Sequence, residues 1–321
     1  MPSFMKILIA DRFSDVARAD LKASGFEVLY EPDVRDESLV KVLADTGPDV
    51  LVVRSTRVTA AMLQAGRLGL VIRAGAGYNT IDVSAATELG TRVANCPGKN
   101  ANAVVELAFG LIIALDRNIP ENVQDLRQGR WNKINYSSAR GLSGSTLGLV
   151  GVGTIGRGMI PRARAFGMSV VGWSRSLTPE RAEALGIEMK ASPAEVAAAS
   201  DVVSLHVALT NDTRHLADER FFKIMQEGAF FINTSRAEVV DEAALAHAVE
   251  TRGIRAGLDI FEGEPPTGTG EVDNPLFKLD GVIGTHHIGG QTSEAQRSIA
   301  EETVRIIREF RDTGVAPNQV N

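Results

Sequence analysis

The 321-residue chain lacks most of the features that mark secreted, membrane or nucleic-acid-binding proteins. Its single cysteine, Cys96, can form no internal disulfide, and no cluster of potential ligands predicts a metal site. No apolar run is long enough to cross a membrane, and the N-terminus lacks the pattern of a signal peptide. A net charge of −6 gives no general attraction for nucleic acid or an anionic membrane. These absences predict a cytoplasmic protein, and they favour a buried structural role for Cys96.

The remaining composition is that of a globular protein, with 44% hydrophobic and 23% charged residues. The length exceeds one average domain, so we expect two. Short β-branched runs alternate with helical stretches, which predicts an α/β fold of parallel sheets with crossover helices. The predicted strands of a first series are Lys6–Ala10, Glu27–Tyr30, Val50–Val53, Leu70–Arg73 and Arg92–Ala94, and those of a second are Thr146–Val150, Ser169–Trp173, Val202–His206, Ala229–Asn233, Ala256–Ile260 and Val282–Thr285.

Between the two series lies an apolar stretch, Asn100–Ile119, which predicts a long helix that ends before Pro120. The chain closes with a helical run to about Asp312, opened by a capping box at Ser293. Residues 262–274 predict an irregular loop. We expect a Rossmann-type domain at 100–287, inserted into a flavodoxin-like substrate domain built from 1–99 and 288–321, with a cleft between them.

A glycine-rich turn opens the second series directly after the strand Thr146–Val150. Its glycines, Gly151, Gly153 and Gly156, have the GxGxxG spacing and lead into a helical pattern. Such a turn presents free backbone N–H groups and a positive helix end to a dinucleotide pyrophosphate. The sequence therefore predicts a dinucleotide-binding domain.

Polar side chains follow the strands of the second series, at the sheet edge where open α/β folds bind ligands. An arginine, a carboxylate and a histidine at one such edge can grip a carboxylate, orient an imidazole and transfer a proton. The residues at these positions are Ser174, Arg175, His206, Asn233 to Arg236, Asp259 to Glu264, His286 and His287. The two remaining histidines, His215 and His247, lie in helical surroundings and predict surface or packing roles.

Several motifs in a fixed order resemble the D-isomer-specific 2-hydroxyacid dehydrogenase family over nearly the whole chain. They are Val53-Arg54-Ser55-Thr56, Arg73-Ala74-Gly75-Ala76-Gly77, Cys96-Pro97-Gly98 through Glu106, the glycine turn, Asn233-Thr234-Ser235-Arg236, Gly257-Leu258-Asp259-Ile260-Phe261 with Glu264-Pro265, and His287-Ile288-Gly289-Gly290. The resemblance implies a substrate-binding and polarising Arg236, a partner acid Glu264 and a proton donor His287. An ionised Glu264 beside the ring would stabilise its imidazolium form.

The same resemblance implies the binding residues. A 2-keto acid would be held by Arg54, Ser55, Gly75, Ala76, Gly77, Arg236 and His287. The nicotinamide cofactor would be held by Val104, Gly151, Gly153, Thr154, Ile155, Gly156, Ser174, Arg175, His206, Val207, Thr234, Ser235, Arg236, Asp259, His287 and Gly289. Members that prefer NAD usually carry an acid where this chain has Ser174-Arg175, and an arginine can receive a 2′-phosphate, so the pair favours NADP(H) over NAD(H).

Three further positions depart from expectation. His286 stands where a proline usually precedes the catalytic histidine, which leaves open which imidazole is used, although the glycines downstream favour His287. Ala237 replaces a glycine and requires a negative φ there. Pro161 removes a hydrogen bond inside the helix after the glycine turn, where we expect a kink.

The resemblance favours a homodimeric reductase of small 2-keto acids such as glyoxylate or hydroxypyruvate. Two alternatives remain open. One is a D-3-phosphoglycerate dehydrogenase-like activity, which a basic loop at Arg54 and Arg57 would suit. The other is a dinucleotide-sensing corepressor-type protein, which needs the glycine turn without turnover. In this family the region of Trp131 supports dimer contact, so the indole is expected at an interface or lid.

Overall fold

The computed structural model describes residues 4–265 and 269–321. The chain divides into two compact units, one of Met1–Asn100 with Gln291–Asn321 and one of Ala101–Gly290. In chain order the strands are β1 (Lys6–Ile9), β2 (Glu27–Tyr30), β3 (Val50–Val53), β4 (Leu70–Arg73), β5 (Arg92–Asn95), β6 (Thr146–Val150), β7 (Ser169–Trp173), β8 (Glu188–Met189), β9 (Val202–Leu205), β10 (Phe230–Asn233), β11 (Arg255–Leu258) and β12 (Val282–Gly284).

The helices connect these strands. They are α1 (Asp15–Ala23), α2 (Asp36–Thr46), α3 (Ala60–Gly66), α4 (Val83–Glu88), α5 (Ala101–Arg117), α6 (Ile119–Arg127), α7 (Thr154–Ala165), α8 (Pro179–Leu185), α9 (Pro193–Ala198), α10 (Glu219–Ile224), α11 (Glu242–Arg252) and α12 (Ser293–Thr313), with 3-10 helices at Ala237–Val239 and Pro275–Lys278. None of the helices in the described residues is both long and apolar enough to traverse a lipid bilayer.

The first unit is built on a five-stranded parallel sheet in the order β2-β1-β3-β4-β5, the flavodoxin-like order. Successive side chains of β1 point to opposite faces of the sheet, as in any β-strand. Ile7 and Ile9 join one buried cluster and Leu8 joins another. Helix α12 closes the first of these clusters with Ile299, Val304 and other apolar residues. The unit is therefore assembled from both parts of the chain.

The second unit is built on a seven-stranded parallel sheet in the order β12-β11-β10-β9-β6-β7-β8. Counted from β6, this is the Rossmann order with one more strand at the β12 edge. The strand order reverses between β6 and β9, and ligands of such sheets bind at that reversal. The predicted α/β class with two parallel sheets is confirmed.

The long helix predicted over Asn100–Ile119 is confirmed at Ala101–Arg117 and ends before Pro120, as predicted. The second helix, α6, was not predicted; it follows Asn118, which has a left-handed φ of 47°, and has Pro120 in its first turn. Proline is tolerated there, where its missing N–H has no partner to lose. The cap of α12 is Thr292 rather than Ser293, and its side chain accepts a hydrogen bond from the N–H of Ala295 at 3.1 Å.

Candidate active site

The glycine turn lies at the carboxyl end of β6, beside the end of β9. Gly151 has a φ of 104°, and a Cβ there would lie 2.3 Å from the carbonyl oxygen of His206. A Cβ on Gly156 would lie 2.1 Å from the carbonyl oxygen of Gly151, so α7 can approach the strand only with glycine at that position. Beside Gly153 the space is open. Thr154 and Ile155 begin α7 and complete a turn whose backbone N–H groups can donate hydrogen bonds to a diphosphate.

Two polar atoms at the same sheet edge are buried without a hydrogen-bond partner among the described residues. They are Nδ1 of His206 and Oγ1 of Thr234, which follow the neighbouring strands β9 and β10. Burial lowers the pKa of His206 to about 4, so the ring is neutral, and its Nε2 lies 2.9 Å from Oγ of Ser204. Buried polar atoms without partners are costly and mark sites where a ligand completes the hydrogen bonding. They fit a nucleotide that lies across the reversal of strand order between β6 and β9.

The residues after β7 are Ser174, which is half-buried, and Arg175, which is exposed. Nη1 of Arg175 lies 3.8 Å from Oδ2 of Asp212, and both side chains are well exposed to solvent. The arginine is therefore accessible to a ligand, and a carboxylate competes for its charge. Val207 is half-buried directly after His206.

The loop after β10 shapes the turn that carries Arg236. Asn233 is 1% exposed; its amide donates to the carbonyl of Arg236 at 2.9 Å, and its oxygen accepts from the N–H of Ser235 at 3.0 Å. Burial lowers the pKa of Arg236, while the nearby carboxylates of Glu238 and Glu264 act in the opposite direction. The half-buried guanidinium donates to the carbonyl of Ser235 at 2.6 Å. Ala237 opens a 3-10 helix and needs no positive φ, as predicted.

His287 and Glu264 form a pair. Nδ1 of His287 lies 2.8 Å from Oε2 of Glu264, with the imidazole 52% exposed and the carboxylate 28% exposed. The neighbouring His286 is exposed and makes no hydrogen bond within the described part of the chain. Of the two adjacent imidazoles, His287 is the one with a carboxylate partner. His215 and His247 are exposed.

Asp259 fixes the turn that carries His287. It is 1% exposed, and its carboxylate accepts from the backbone N–H groups of Ile288 and Gly289, each at 2.8 Å, and from the hydroxyl of Thr285 at 2.6 Å. Its carbonyl also accepts from the N–H of His287 at 2.9 Å. This anchoring holds His287 at a left-handed φ of 51°, which a non-glycine residue adopts only at a cost. A Cβ atom on Gly289 would lie 3.5 Å from Cγ2 of Val104, so Val104 lies close to this turn.

The loop that carries Glu264 is held from α11. The carboxylate of Glu242 accepts from the N–H of Glu262 at 2.6 Å and from the amide of Asn274 at 2.7 Å. Burial raises the pKa of Glu242, and these two hydrogen bonds oppose that shift. Residues 266–268 of the predicted irregular loop lie outside the described residues.

In the first unit, the loop after β3 carries Arg54, which is half-buried, and Ser55, which is exposed. The guanidinium of Arg54 donates to the side-chain oxygen of Gln291, and burial lowers its pKa while the charge of Asp11 opposes that shift. Asp11 is 4% exposed and accepts hydrogen bonds from the backbone of this loop.

The Gly75-Ala76-Gly77 turn follows β4 in the same unit. Gly75 has a φ of 152°, and a Cβ there would collide with Nη1 of Arg73 at 1.4 Å, so only glycine fits. The amide of Asn95 donates to the carbonyl of Ala76 at 2.5 Å and fixes the turn. Cys96 is fully buried after β5, and burial raises the pKa of its thiol, as expected for a structural residue.

The second unit thus contains Arg236, Glu264 and His287 together with the glycine turn, and the first unit contains Arg54, Ser55 and residues 75–77. Sequence reasoning noted Asn233 among the polar residues after the strands but gave it no role, and it did not select Glu242 or Asp11. Asn233 ends an otherwise apolar strand, which was a usable signal. Glu242 and Asp11 give no such signal, because their partners lie far away in the sequence.

Comparison with known proteins finds similar sequences and structures. A sequence model described as D-isomer specific 2-hydroxyacid dehydrogenase, NAD binding domain, matches residues 109–289. The D-3-phosphoglycerate dehydrogenase of Methanocaldococcus jannaschii is 39% identical over 311 residues, or 95% of this chain and 58% of that protein. The chain therefore spans well under two thirds of the length of that relative.

Two other similar proteins match along most of their own length. The hydroxypyruvate reductase of Thermotoga maritima is 40% identical over 292 residues, which cover 90% of this chain and 92% of that protein. The crystal structure of a glyoxylate reductase from Paecilomyes thermophila has a TM-score of 0.88 at 28% identity and covers 100% of this chain and 99% of that one.

Proposed function

The chain belongs to the D-isomer specific 2-hydroxyacid dehydrogenase family, and we propose that it is an NAD(P)-dependent reductase of a small 2-keto acid of the glyoxylate or hydroxypyruvate type. The observation that carries this proposal is the 2.8 Å pair of His287 and Glu264 in the same unit as the half-buried Arg236. An acid-base pair and a cation are what reduction of a keto acid requires of the protein.

Each of the three side chains has a role in the proposed reaction. Arg236 binds the substrate and polarises its carbonyl group, because a guanidinium can hold a carboxylate in bidentate fashion. With Nδ1 of His287 occupied by Glu264, Nε2 is left to donate the proton to the substrate oxygen as negative charge develops there. Glu264 fixes the ring orientation and stabilises the imidazolium. The bound nicotinamide supplies the hydride for the keto carbon.

The residues at the reversal of strand order between β6 and β9 fit this cofactor. Gly151, Gly153, Thr154, Ile155 and Gly156 would hold its diphosphate. The other proposed contacts are Val104, Ser174, Arg175, His206, Val207, Thr234, Ser235, Arg236, Asp259, His287 and Gly289. The partnerless buried atoms of His206 and Thr234 support the proposal, since a bound nucleotide can satisfy them.

We include a preference for NADP(H) in the proposal. No acid follows β7 to bind the ribose hydroxyls, and the exposed Arg175 can pair with a 2′-phosphate. The carboxylate of Asp212, 3.8 Å from Arg175, limits the size of this preference.

Arg54 supports a second candidate, a D-3-phosphoglycerate dehydrogenase-like activity. Its half-buried guanidinium donates to the neutral side chain of Gln291, and Asp11, whose charge acts on it, is already paired with Arg35. A half-buried cation that shares its acidic neighbour with a second cation favours a substrate that brings a second anionic group. A dinucleotide-sensing protein without turnover is a third candidate, which the complete Arg236, Glu264 and His287 set disfavours.

We also propose a cytoplasmic homodimer that contacts through the cofactor-binding unit. Helix α6 has no buried residue, and the segment around it exposes Leu126 at 58%, Trp131 at 80% and Ile134 at 85%. Apolar side chains so exposed and so close in sequence are typical of an interface. Light scattering of the wild type and of Trp131→Ser tests this assembly.

The deciding experiment is steady-state reduction of glyoxylate, hydroxypyruvate and 3-phosphohydroxypyruvate with NADPH and with NADH. We expect turnover of the first two acids, and higher kcat/KM with NADPH. Preferential use of 3-phosphohydroxypyruvate would favour the second candidate. Tight cofactor binding without turnover of any acid would favour the sensor and refute the reductase.

A further inference from the structure

The loop after β3 is fixed by one buried carboxylate, that of Asp11. We propose that Asp11 is a positioning residue for substrate recognition, because it fixes the backbone of Arg54 and Ser55 and so sets where the Arg54 guanidinium can meet the end of the substrate remote from its carboxylate. This inference rests on the proposed function.

The contacts of Asp11 converge from two other segments. Its Oδ2 accepts from the backbone N–H groups of Arg54 at 2.6 Å, Ser55 at 3.1 Å and Thr56 at 3.0 Å. Its Oδ1 accepts from the hydroxyl of Ser55 at 3.2 Å and from Nη2 of Arg35 at 3.1 Å. Five donors therefore surround a carboxylate that is 4% exposed.

A carboxylate is the side chain that this arrangement requires. Three consecutive N–H groups reach one oxygen only if the loop is tightly curved, so the acid and the loop conformation depend on each other. An asparagine in either amide orientation would set its NH₂ group against existing donors, since both oxygens of Asp11 only accept. Nη2 of Arg35, 3.1 Å from Oδ1, places a positive charge beside this buried carboxylate.

The hydrogen bonds to Asp11 determine which polar groups of the loop remain free to contact a ligand. The N–H groups of residues 54–56 and the hydroxyl of Ser55 are already donated to Asp11. Among the side-chain donors of residues 54 and 55, the Arg54 guanidinium is the one that Asp11 does not occupy, and it is oriented by Gln291. Beside it lies a cavity of about 340 Å³, whose lining includes Arg12, Phe13 and Gln296. The loop thus presents the Arg54 guanidinium at a fixed place next to open space, followed by the exposed Arg57.

The test compares Asp11→Asn with the matched variant Asp49→Asn. Asp49 also accepts a backbone hydrogen bond, from Lys6 at 2.7 Å, but it lies at the opposite end of the same sheet. Glyoxylate has no group beyond its carbonyl carbon, whereas hydroxypyruvate has one. We expect Asp11→Asn to lower the ratio of kcat/KM for hydroxypyruvate to that for glyoxylate by about tenfold, mainly through KM. The KM for NADPH should not change, and Asp49→Asn should keep the wild-type ratio.

Amide hydrogen exchange of residues 54–56 gives a readout that needs no turnover. It should be faster in Asp11→Asn than in Asp49→Asn. If Asp11→Asn does not fold, Arg35→Ala keeps the carboxylate but removes the compensating charge, together with the hydrogen bonds of the guanidinium to the carbonyls of Ala10 and Val34. It should lower the same ratio by about two- to threefold. An unchanged ratio in a folded variant overturns the proposal, as does unchanged exchange. Wild-type protein that reduces neither acid refutes the proposed function instead, and Asp11 is then judged by exchange alone.

Discussion

The carboxylate of Glu264 is held at both oxygens: Oε2 lies 2.8 Å from Nδ1 of His287, and Oε1 accepts from the backbone N–H of Phe261 at 3.2 Å. The acid therefore cannot rotate freely, and neither can the imidazole that it contacts. Because Asp259 fixes the backbone of the histidine from the other side, the ring is oriented from two directions. A general acid gains most from such fixed placement.

Replacement of the two adjacent histidines should distinguish their roles. His287→Ala should lower kcat by a factor of about 100 to 10,000 and leave the affinity for NADPH unchanged, because it removes the proton donor. His286→Ala is the matched control and should retain most activity, since His286 has no partner in the described residues. Steady-state kinetics and cofactor titration provide both measurements. The reverse pattern would shift the proposed acid by one residue.

Arg236→Ala should raise KM and lower kcat together, with a loss in kcat/KM of about 1,000-fold, because one contact both binds and polarises the keto acid. Arg236→Lys should recover only a minor part, since an ammonium cannot form the bidentate pair. Arg214→Ala, an exposed arginine of the same unit, is the control for a lost charge. Normal kinetics in Arg236→Ala would remove this residue from the site.

Asp259→Asn should weaken the turn at His287 and Gly289, because an amide can accept at only one of the two positions where the carboxylate now accepts. We expect a loss in kcat of about tenfold to 100-fold, with a change in the thermal midpoint of only a few degrees. Stopped-flow kinetics and calorimetry measure the two effects. A variant that melts far earlier but keeps its kcat would show a role in stability alone.

Arg175→Asp should shift cofactor preference from NADPH toward NADH, because an acid repels the 2′-phosphate that the arginine attracts. Asp212→Asn should move the preference the other way by about two- to fivefold, since it frees Arg175 from a competing carboxylate. Arg220→Asp controls for net charge on an exposed site of the same unit. The measurement is the ratio of kcat/KM with each cofactor, and an equal ratio in all four proteins would contradict the contact.

We expect the free energy of unfolding to depend on pH through Glu302. Hydrogen bonds from Arg305 lower the pKa of this buried acid to about 2, with help from Asn318 and Lys99. Because the folded pKa is below the unfolded value near 4.5, the stabilisation is present above pH 4.5 and is lost as the pH falls toward 2. Glu302→Gln should lower the free energy of unfolding by about 1–3 kcal/mol at pH 7, and by less in acid.

Urea denaturation at several pH values checks this expectation. Glu309→Gln is the matched control, since Glu309 pairs with the same Arg305 at 2.9 Å but is well exposed, and it should cost less than about 0.5 kcal/mol. Equal differences between wild type and Glu302→Gln at pH 7 and pH 3 would contradict the assignment.

Much of the fold could be predicted from the sequence because the strands are short β-branched runs between helical patterns. The errors arose where local rules compete. Pro120 ends one helix but also suits the first turn of the next, and Thr292 and Ser293 are both capable caps. The two-residue strand Glu188–Met189 at the sheet edge carries too little pattern to be noticed.

The residues of the candidate site also divide into those that the sequence predicts and those that it does not. Arg236, Glu264 and His287 follow strands and belong to motifs, so they could be selected from the sequence, although their roles remain a proposal. The carboxylates of Asp11 and Glu242, which hold the two loops, could not be selected from the sequence. The partners of Asp11 lie 24 and 43 to 45 residues away, and a lone acid after a strand resembles any solvated residue until the loop that surrounds it is known.

The first unit has a consequence for synthesis on the ribosome. Ile7 and Ile9 share one buried cluster with Ile299 and Val304, which are translated much later. That half of the hydrophobic interior cannot close while α12 is still in the exit tunnel. The nascent chain must keep these early apolar strands from aggregating until α12 covers them.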